Sequence, residues 1–129
     1  MSANYDRVLR SLELQKKGAE QRGKDLLADA LKTFRRAHVV WPMPEGETSI
    51  KELEAELDAL RVRNQKAEWL KDTAAAYDQE GQIQEALEYY NQSQALVPSQ
   101  AVEERISRIS RRLELIAEAD KLAGTGSSL

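Results

Sequence analysis

The sequence predicts an all-α fold on three observations. The 129 residues include only six glycines and three prolines, so long uninterrupted elements are expected. Helix-forming residues dominate, and apolar residues recur every three or four positions, which is the period of a buried helix face. No segment shows the strict alternation of apolar and polar residues that is typical of a half-buried strand.

The first predicted helix covers residues 3–22, and we expect Gly23 to take the left-handed conformation that ends it. The second covers residues 26–40, with Asp25 as its N-cap. The letters WPMP follow, and they end the second helix because proline lacks an amide donor and disfavours helical conformation in the residue before it. The segment PEGETS, residues 44–49, is predicted to be a loop.

The third predicted helix is long, covering residues 49–79. Ser49 and Glu52 have the spacing of a capping box, in which each side chain satisfies a free backbone donor at the start of a helix. No glycine or proline follows until Gly81, which closes the helix.

Two further helices are predicted, over residues 83–96 and 100–122. Pro98 lies between them and forces a short break. The final letters GTGSSL, residues 124–129, are predicted to form a flexible tail, and residues 1–123 a single helical domain.

One segment of the chain occurs twice. DALKTFRRAHVVWP, residues 29–42, and EALEYYNQSQALVP, residues 85–98, have nearly the same pattern at a shift of 56 residues. Small residues recur where a neighbouring helix can approach closely, Phe34 and Tyr90 recur beside them, and a proline ends each copy. The chain therefore uses one structural unit twice.

The second copy resembles a tetratricopeptide repeat, a helix–turn–helix unit of about 34 residues. Residues 67–100 match its small, aromatic, glycine and proline positions with Ala74, Tyr77, Gly81, Ala86, Tyr90 and Pro98. Residues 11–44 match less closely, with Leu14, Gly18, Ala30, Phe34, Ala37 and Pro42. In this first copy Asp25 stands at the position of the turn glycine, so its turn is expected to be shifted towards Gly23.

The resemblance implies a short α-solenoid of about five helices. A shift of 56 residues exceeds the repeat length by about 22, and we assign that excess to a helical extension over residues 49–66. The last helix, residues 100–122, lacks the repeat signature and is expected to cap the second copy.

The resemblance also implies a binding groove lined by the first helix of each copy. The groove positions are Gln15, Ala19 and Arg22 in the first copy and Glu68, Lys71, Ala75 and Asp78 in the second. The positions at which the family holds a C-terminal carboxylate carry Gln15, Ala19 and Asp72, which disfavours that type of ligand. The predicted function is non-catalytic protein–protein interaction, as an adaptor, scaffold or interaction domain of a larger protein.

The alternative prediction is self-association into a homo-oligomer. The extension carries an apolar stripe, Ile50, Leu53, Leu57 and Leu60, which is too apolar to leave in water if nothing packs on it. A two-fold pairing would bury this stripe, and Asn64 would fix its register. A smaller candidate contact is Trp41 with Met43, which is either an exposed patch or folded back on the long helix.

The charges are unevenly distributed along the chain. Residues 1–42 carry nine Lys or Arg and five Asp or Glu, whereas residues 43–60 carry one and six. This arrangement favours charge complementarity within the chain or between subunits. No concentrated basic surface of the kind that nucleic acids require is predicted.

Arginines 105, 108, 111 and 112 form the densest basic cluster. Glu104 and Glu114 lie at helical pairing distance from Arg108 and Arg111, so an ion-paired helix surface is favoured over a ligand site.

No catalytic or cofactor site is predicted. The chain has no cysteine, and its one histidine, His38, is expected to be structural or exposed. The carboxylates of Glu52, Glu54, Glu56 and Asp58 are interpreted as a solvated helix face rather than as paired acids. No signal peptide or membrane-spanning segment is predicted, which favours a cytoplasmic protein.

Overall fold

The computed structural model describes the backbone of residues 2–127 and the side chains of residues 3–124. This part of the chain is 90% helical and contains no strand, which confirms the predicted all-α fold. The five helices are α1 (Ser2–Gly23), α2 (Leu27–Val40), α3 (Pro44–Gln79), α4 (Ile83–Leu96) and α5 (Gln100–Ser127).

The predicted PEGETS loop is wrong, because α3 already begins at Pro44. Proline suits the first helical position, where an amide donor has no partner and a fixed φ is already helical. Glu45 and Glu47 lie in the first turn, where carboxylates are stabilised by the helix dipole. Ser49 and Glu52 lie inside the helix, so the predicted capping box is also wrong.

The predicted end of the last helix is wrong as well, because α5 continues to Ser127. The predicted tail is therefore helical over residues 124–127, while residues 128 and 129 lie outside the described part. Isolated glycines lower helix propensity without ending a helix as proline does.

The turn between α1 and α2 is formed by Asp25 and not by Gly23. Asp25 has φ 61°, and Gly81, which lies 56 residues later, has φ 80°. Aspartate tolerates this left-handed conformation better than most residues do. Gly23 is the last residue of α1, and Leu26 precedes α2 without a side-chain cap, so the predicted roles of Gly23 and Asp25 are both wrong.

The two turns have the same hydrogen bonds. The amide of Leu26 donates to the carbonyl oxygen of Gln21 at 2.9 Å, and the amide of Gln82 donates to that of Tyr77 at 2.9 Å. The first turn is therefore not shifted, and the aspartate takes the position of the glycine.

Two compact units make up the chain. Unit 1 comprises the described residues up to Arg61, and unit 2 begins at Val62, so that α3 contributes its first half to one unit and its second half to the other. Pro44 and Gln100, which begin α3 and α5, are again 56 residues apart. The repeating element is thus a three-helix unit rather than a hairpin followed by an extension.

The core of unit 1 lies between α2 and the first half of α3. Ala30, Leu31, Phe34 and Leu53 are buried there, with Ile50 and Leu57 packed against them. The expectation that the stripe of α3 is uncovered is therefore wrong, because Leu53 has 0% exposure within this unit.

The core of unit 2 uses several of the same positions. Ala86 and Tyr90 of α4 pack with Val102 and Ile109 of α5, and Ala74 of α3 joins them. Ile109 lies 56 residues after Leu53, and it is likewise buried. The last helix covers the core of its own unit, as the first half of α3 covers the core of unit 1.

The first two helices of each unit are joined by a buried hydroxyl. In unit 1, Ser11 of α1 donates to the carbonyl oxygens of Ala37 at 3.1 Å and Trp41 at 2.8 Å. In unit 2, Ser93 of α4 donates to the carbonyl oxygen of Ala67 of α3 at 2.9 Å. The serine and the alanine have exchanged helices between the two units.

The two turns provide a matched stability test. Asp25→Gly relieves a left-handed conformation and should raise the free energy of unfolding by about 0.5 kcal/mol, whereas Gly81→Asp should lower it by about 1 kcal/mol. Urea unfolding followed by circular dichroism measures both. Destabilisation by Asp25→Gly as large as that by Gly81→Asp would show that the aspartate side chain has a further role in the turn.

Gly18 is a second position at which the backbone limits the sequence. A Cβ atom built there would lie 2.8 Å from Cε2 of Phe34, whose ring is buried. Gly18→Ala should therefore destabilise by about 1 kcal/mol, because overpacking exceeds the gain in helix propensity. Gly23→Ala is the control, since its Cβ meets nothing within 4 Å. Thermal unfolding that ranks Gly18→Ala above wild type would contradict this packing.

Candidate functional site

A groove runs between the first and third helices of each unit, and in unit 1 it is bridged by an arginine. Arg22 of α1 donates to Glu52 at 2.9 Å and to Glu56 at 2.6 Å, both on α3. Both hydrogen bonds raise the pKa of Arg22 above its usual value, and the one to Glu52 has the larger effect. The predicted groove residue Arg22 and the acidic face of α3 thus satisfy each other.

Gln15, a second predicted groove residue, is also engaged within unit 1. Its amide donates to Sδ of Met43 at 3.2 Å and lies 3.5 Å from Oγ of Ser11. Ala19 is exposed beside it. Arg35 of α2 pairs with Glu54 of α3 at 3.2 Å, so part of the predicted charge complementarity is found within the chain.

The corresponding groove of unit 2 has the opposite charges. Asp78 stands at the position of Arg22, and Arg108 and Arg112 stand at the positions of Glu52 and Glu56. Among the side chains that the structure describes, one loose ion pair crosses this groove, between Arg112 and Asp78 at 3.8 Å. A cavity of about 260 Å³ remains open, lined by Ala75, Asp78, Gln79, Tyr90, Arg105, Arg108 and Ile109.

Arg105 lines this cavity and is held there by a contact with Tyr90. Its Nη1 donates to the hydroxyl of Tyr90 at 2.9 Å, and its guanidinium carbon lies 5.8 Å from the centre of the tyrosine ring. Tyr90 is only 1% exposed, so its hydroxyl needs such a partner. One donor of the guanidinium is thus used by Tyr90, and the side chain lines the groove with further donors that Tyr90 does not use.

Arg108 lines the same cavity without a carboxylate partner. The predicted pairs of Glu104 with Arg108 and of Glu114 with Arg111 are wrong, because neither is formed among the described side chains. The members of the arginine cluster have different partners: Arg105 donates to the hydroxyl of Tyr90, and Arg112 pairs with Asp78.

The groove residues predicted in unit 2 are only partly brought together. Ala75 and Asp78 are half-buried and line the cavity, whereas Lys71 pairs with Glu68 at 3.1 Å. Sequence reasoning missed Tyr90 and Arg105 as groove residues. The 56-residue shift contains a signal for the opposing arginines, because it aligns them with the carboxylates that face Arg22.

Trp41 and Met43 are half-buried, and both contact residues of α1. The guanidinium carbon of Arg7 lies 5.8 Å from the centre of the Trp41 ring. With Gln15 on Met43, these contacts leave no open aromatic patch at the end of α2.

The residues predicted for self-association lie in different environments. Leu53 is buried and Ile50 and Leu57 are half-buried in unit 1, while Leu60 is 38% exposed and Asn64 is exposed. The apolar surface on which that alternative depended is therefore largely covered by the chain's own α2.

His38 is half-buried beside a cavity of about 450 Å³ that Glu47 and Glu54 also line. Its Nδ1 has no hydrogen-bond partner. No three metal-ligating side chains cluster together in the described part of the chain.

No protein-family model, curated protein or solved structure matches this chain. Within the described residues, no helix combines the length and apolar character needed to cross a membrane.

The contact between Arg105 and Tyr90 can be measured by a double-mutant cycle. Tyr90→Phe and Arg105→Ala should each lower the free energy of unfolding, and their coupling should be about 1 kcal/mol, as for a part-buried hydrogen bond to a charged group. Unit 1 carries Phe34 at this position, so the phenylalanine ring fits the fold. If the losses in unfolding free energy of the two single variants simply add in the double variant, the contact that holds Arg105 is contradicted.

Proposed function

We propose that this chain is a non-catalytic protein-interaction module that binds an acidic segment of a partner in the groove of unit 2. The observation that carries the proposal is the difference between the two grooves. In unit 1 the arginine of the first helix is neutralised by two carboxylates at 2.9 and 2.6 Å. In unit 2 the arginines of the third helix exceed the one aspartate that faces them.

The chemistry of the groove favours a carboxylate-bearing peptide. Arg105 is fixed by Tyr90, so part of the entropy of ordering its side chain is already lost before a ligand binds. Arg108 adds a planar donor without a partner, which suits bidentate contact with a carboxylate. Ala75 and Ile109 supply a small apolar surface between the charges.

The resemblance to tetratricopeptide repeats remains part of this proposal. It is supported by the shared turn geometry at Asp25 and Gly81 and by the small residues where the helices cross. In that family the first helices of the repeats line the binding groove, and here the second half of α3 takes that place.

A direct binding experiment tests the groove. The probe is a fluorescein-labelled peptide of twelve residues in which glutamate alternates with alanine and leucine, with both ends blocked. We expect Arg108→Glu to weaken binding at least about tenfold, which corresponds to about 1.4 kcal/mol. Fluorescence anisotropy measures the affinity.

Arg111→Glu is the matched control. It makes the same charge change on the same helix, but Arg111 does not line the cavity. It should leave the affinity within about twofold of wild type, which separates local contact from the overall field. Absence of binding by wild type, or equal weakening by both variants, would overturn the proposal.

A further inference from the structure

Three aromatic side chains form a continuous surface on the flank of unit 2 that lies away from its groove. Tyr89 of α4 stacks on Tyr77 of α3, with ring centres 5.4 Å apart and planes 8° apart. Trp69 of α3 meets the same Tyr89 edge-on, with ring centres 6.5 Å apart. We call these three residues the aromatic strip. Trp69 is 60% exposed and faces water, whereas Tyr77 and Tyr89 are half-buried.

Two carboxylates lie along the strip. Asp72 and Glu80 line an open cavity of about 520 Å³ together with Trp69 and Tyr77. They are eight residues apart on one helix, which places their backbones about 12 Å apart. Neither takes part in an ion pair among the described side chains.

Unit 1 shows that the fold does not require aromatic residues at these positions. The residues that correspond to Trp69 and Tyr77 are Glu13 and Gln21, and Thr33 corresponds to Tyr89. Thr33 donates a hydrogen bond of 2.6 Å to Gln21, so a polar contact joins the same two helices there. Tyr77 and Tyr89 also pack against the core of unit 2, whereas Trp69 is exposed and is not part of that core, so packing of the unit does not account for Trp69.

We propose that the aromatic strip binds a cationic segment of a partner protein. Guanidinium groups bind to the faces of tryptophan and tyrosine and pair with carboxylates at the same time. The strip offers both kinds of contact in alternation along one helix. Two arginines four residues apart in an extended segment lie about 13 Å from each other, which matches the distance between the two carboxylates.

This surface is distinct from the groove and selects the opposite charge. Arg105 and Arg108 lie on the groove side of unit 2, whereas Asp72 and Glu80 lie along the strip. The two proposals can therefore be tested independently, and variants of one surface serve as controls for the other.

The probe is a fluorescein-labelled peptide of twelve residues that carries arginine at every fourth position among glutamine and serine. We expect Trp69→Ala to weaken its binding at least about tenfold, while Trp69→Phe keeps most of the affinity because the ring face remains. Asp72→Lys should weaken binding at least about fivefold and reduce its salt dependence. Fluorescence anisotropy at two salt concentrations measures these effects.

The location of the bound peptide is read from tryptophan emission. The chain has two tryptophans, so a Trp41→Phe background leaves Trp69 as the sole reporter. Arginine peptide should shift or quench its emission, and a peptide with glutamine in place of arginine should not.

Two controls make the outcome decisive. Glu118→Lys reverses an exposed charge on α5, and Arg108→Glu changes the groove; both should retain binding of the arginine peptide. Light scattering measures the molar mass of the free protein and so shows whether a second copy of the chain covers the strip instead. Loss of binding in the controls, an unchanged affinity in Trp69→Ala, or a dimer that Trp69→Ala dissociates would overturn the proposal.

Discussion

Each unit depends on the close approach of its first two helices at one crossing point. Ser11 meets Ala37 at this point in unit 1, and Ala67 meets Ser93 in unit 2, so each crossing holds one methyl group and one hydroxyl. The hydroxyl donates to a helix carbonyl, which satisfies a buried polar group where no larger side chain fits. Because the total volume is kept, the serine can lie on either helix. The same proximity explains why Gly18 touches the ring of Phe34.

Once the first two helices are fixed, the third helix has one place to pack. Leu53 and Ile109 close the cores of units 1 and 2 from that side. A groove then lies between the first and third helices on one flank, and the opposite flank of the first helix stays open. In unit 1 the bridge from Arg22 to Glu52 spans the first and third helices, whereas in unit 2 the pair of Arg112 and Asp78 is looser, at 3.8 Å, and a cavity remains beside it.

The sequence predicts the helix number and the repeat because both depend on periodic apolar residues and on proline. It misplaces the start of α3, since Pro44 can end one helix or begin the next and only packing decides which. It also misassigns the turn at Asp25, where local backbone hydrogen bonds close a turn with a left-handed φ that most side chains avoid. The groove residues Tyr90 and Arg105 were not predicted. They lie fifteen residues apart in sequence and on different helices, and the apolar periodicity of each helix contains no information about a contact between them.

The two units differ mainly on the flanks of the first helix, where the fold imposes few requirements. In unit 2 one flank has become cationic through Arg108 and the other aromatic and acidic through Trp69 and Asp72. If both proposals hold, a segment of either charge would be attracted by one surface and repelled by the other, so that repulsion as well as contact would separate the two partners. The second half of α3 lines both surfaces, with Ala75 and Asp78 in the groove and Trp69 and Asp72 on the strip, while the arginines of the groove belong to α5. The two proposed surfaces thus arise where unit 2 departs from unit 1, on opposite sides of the same half of α3.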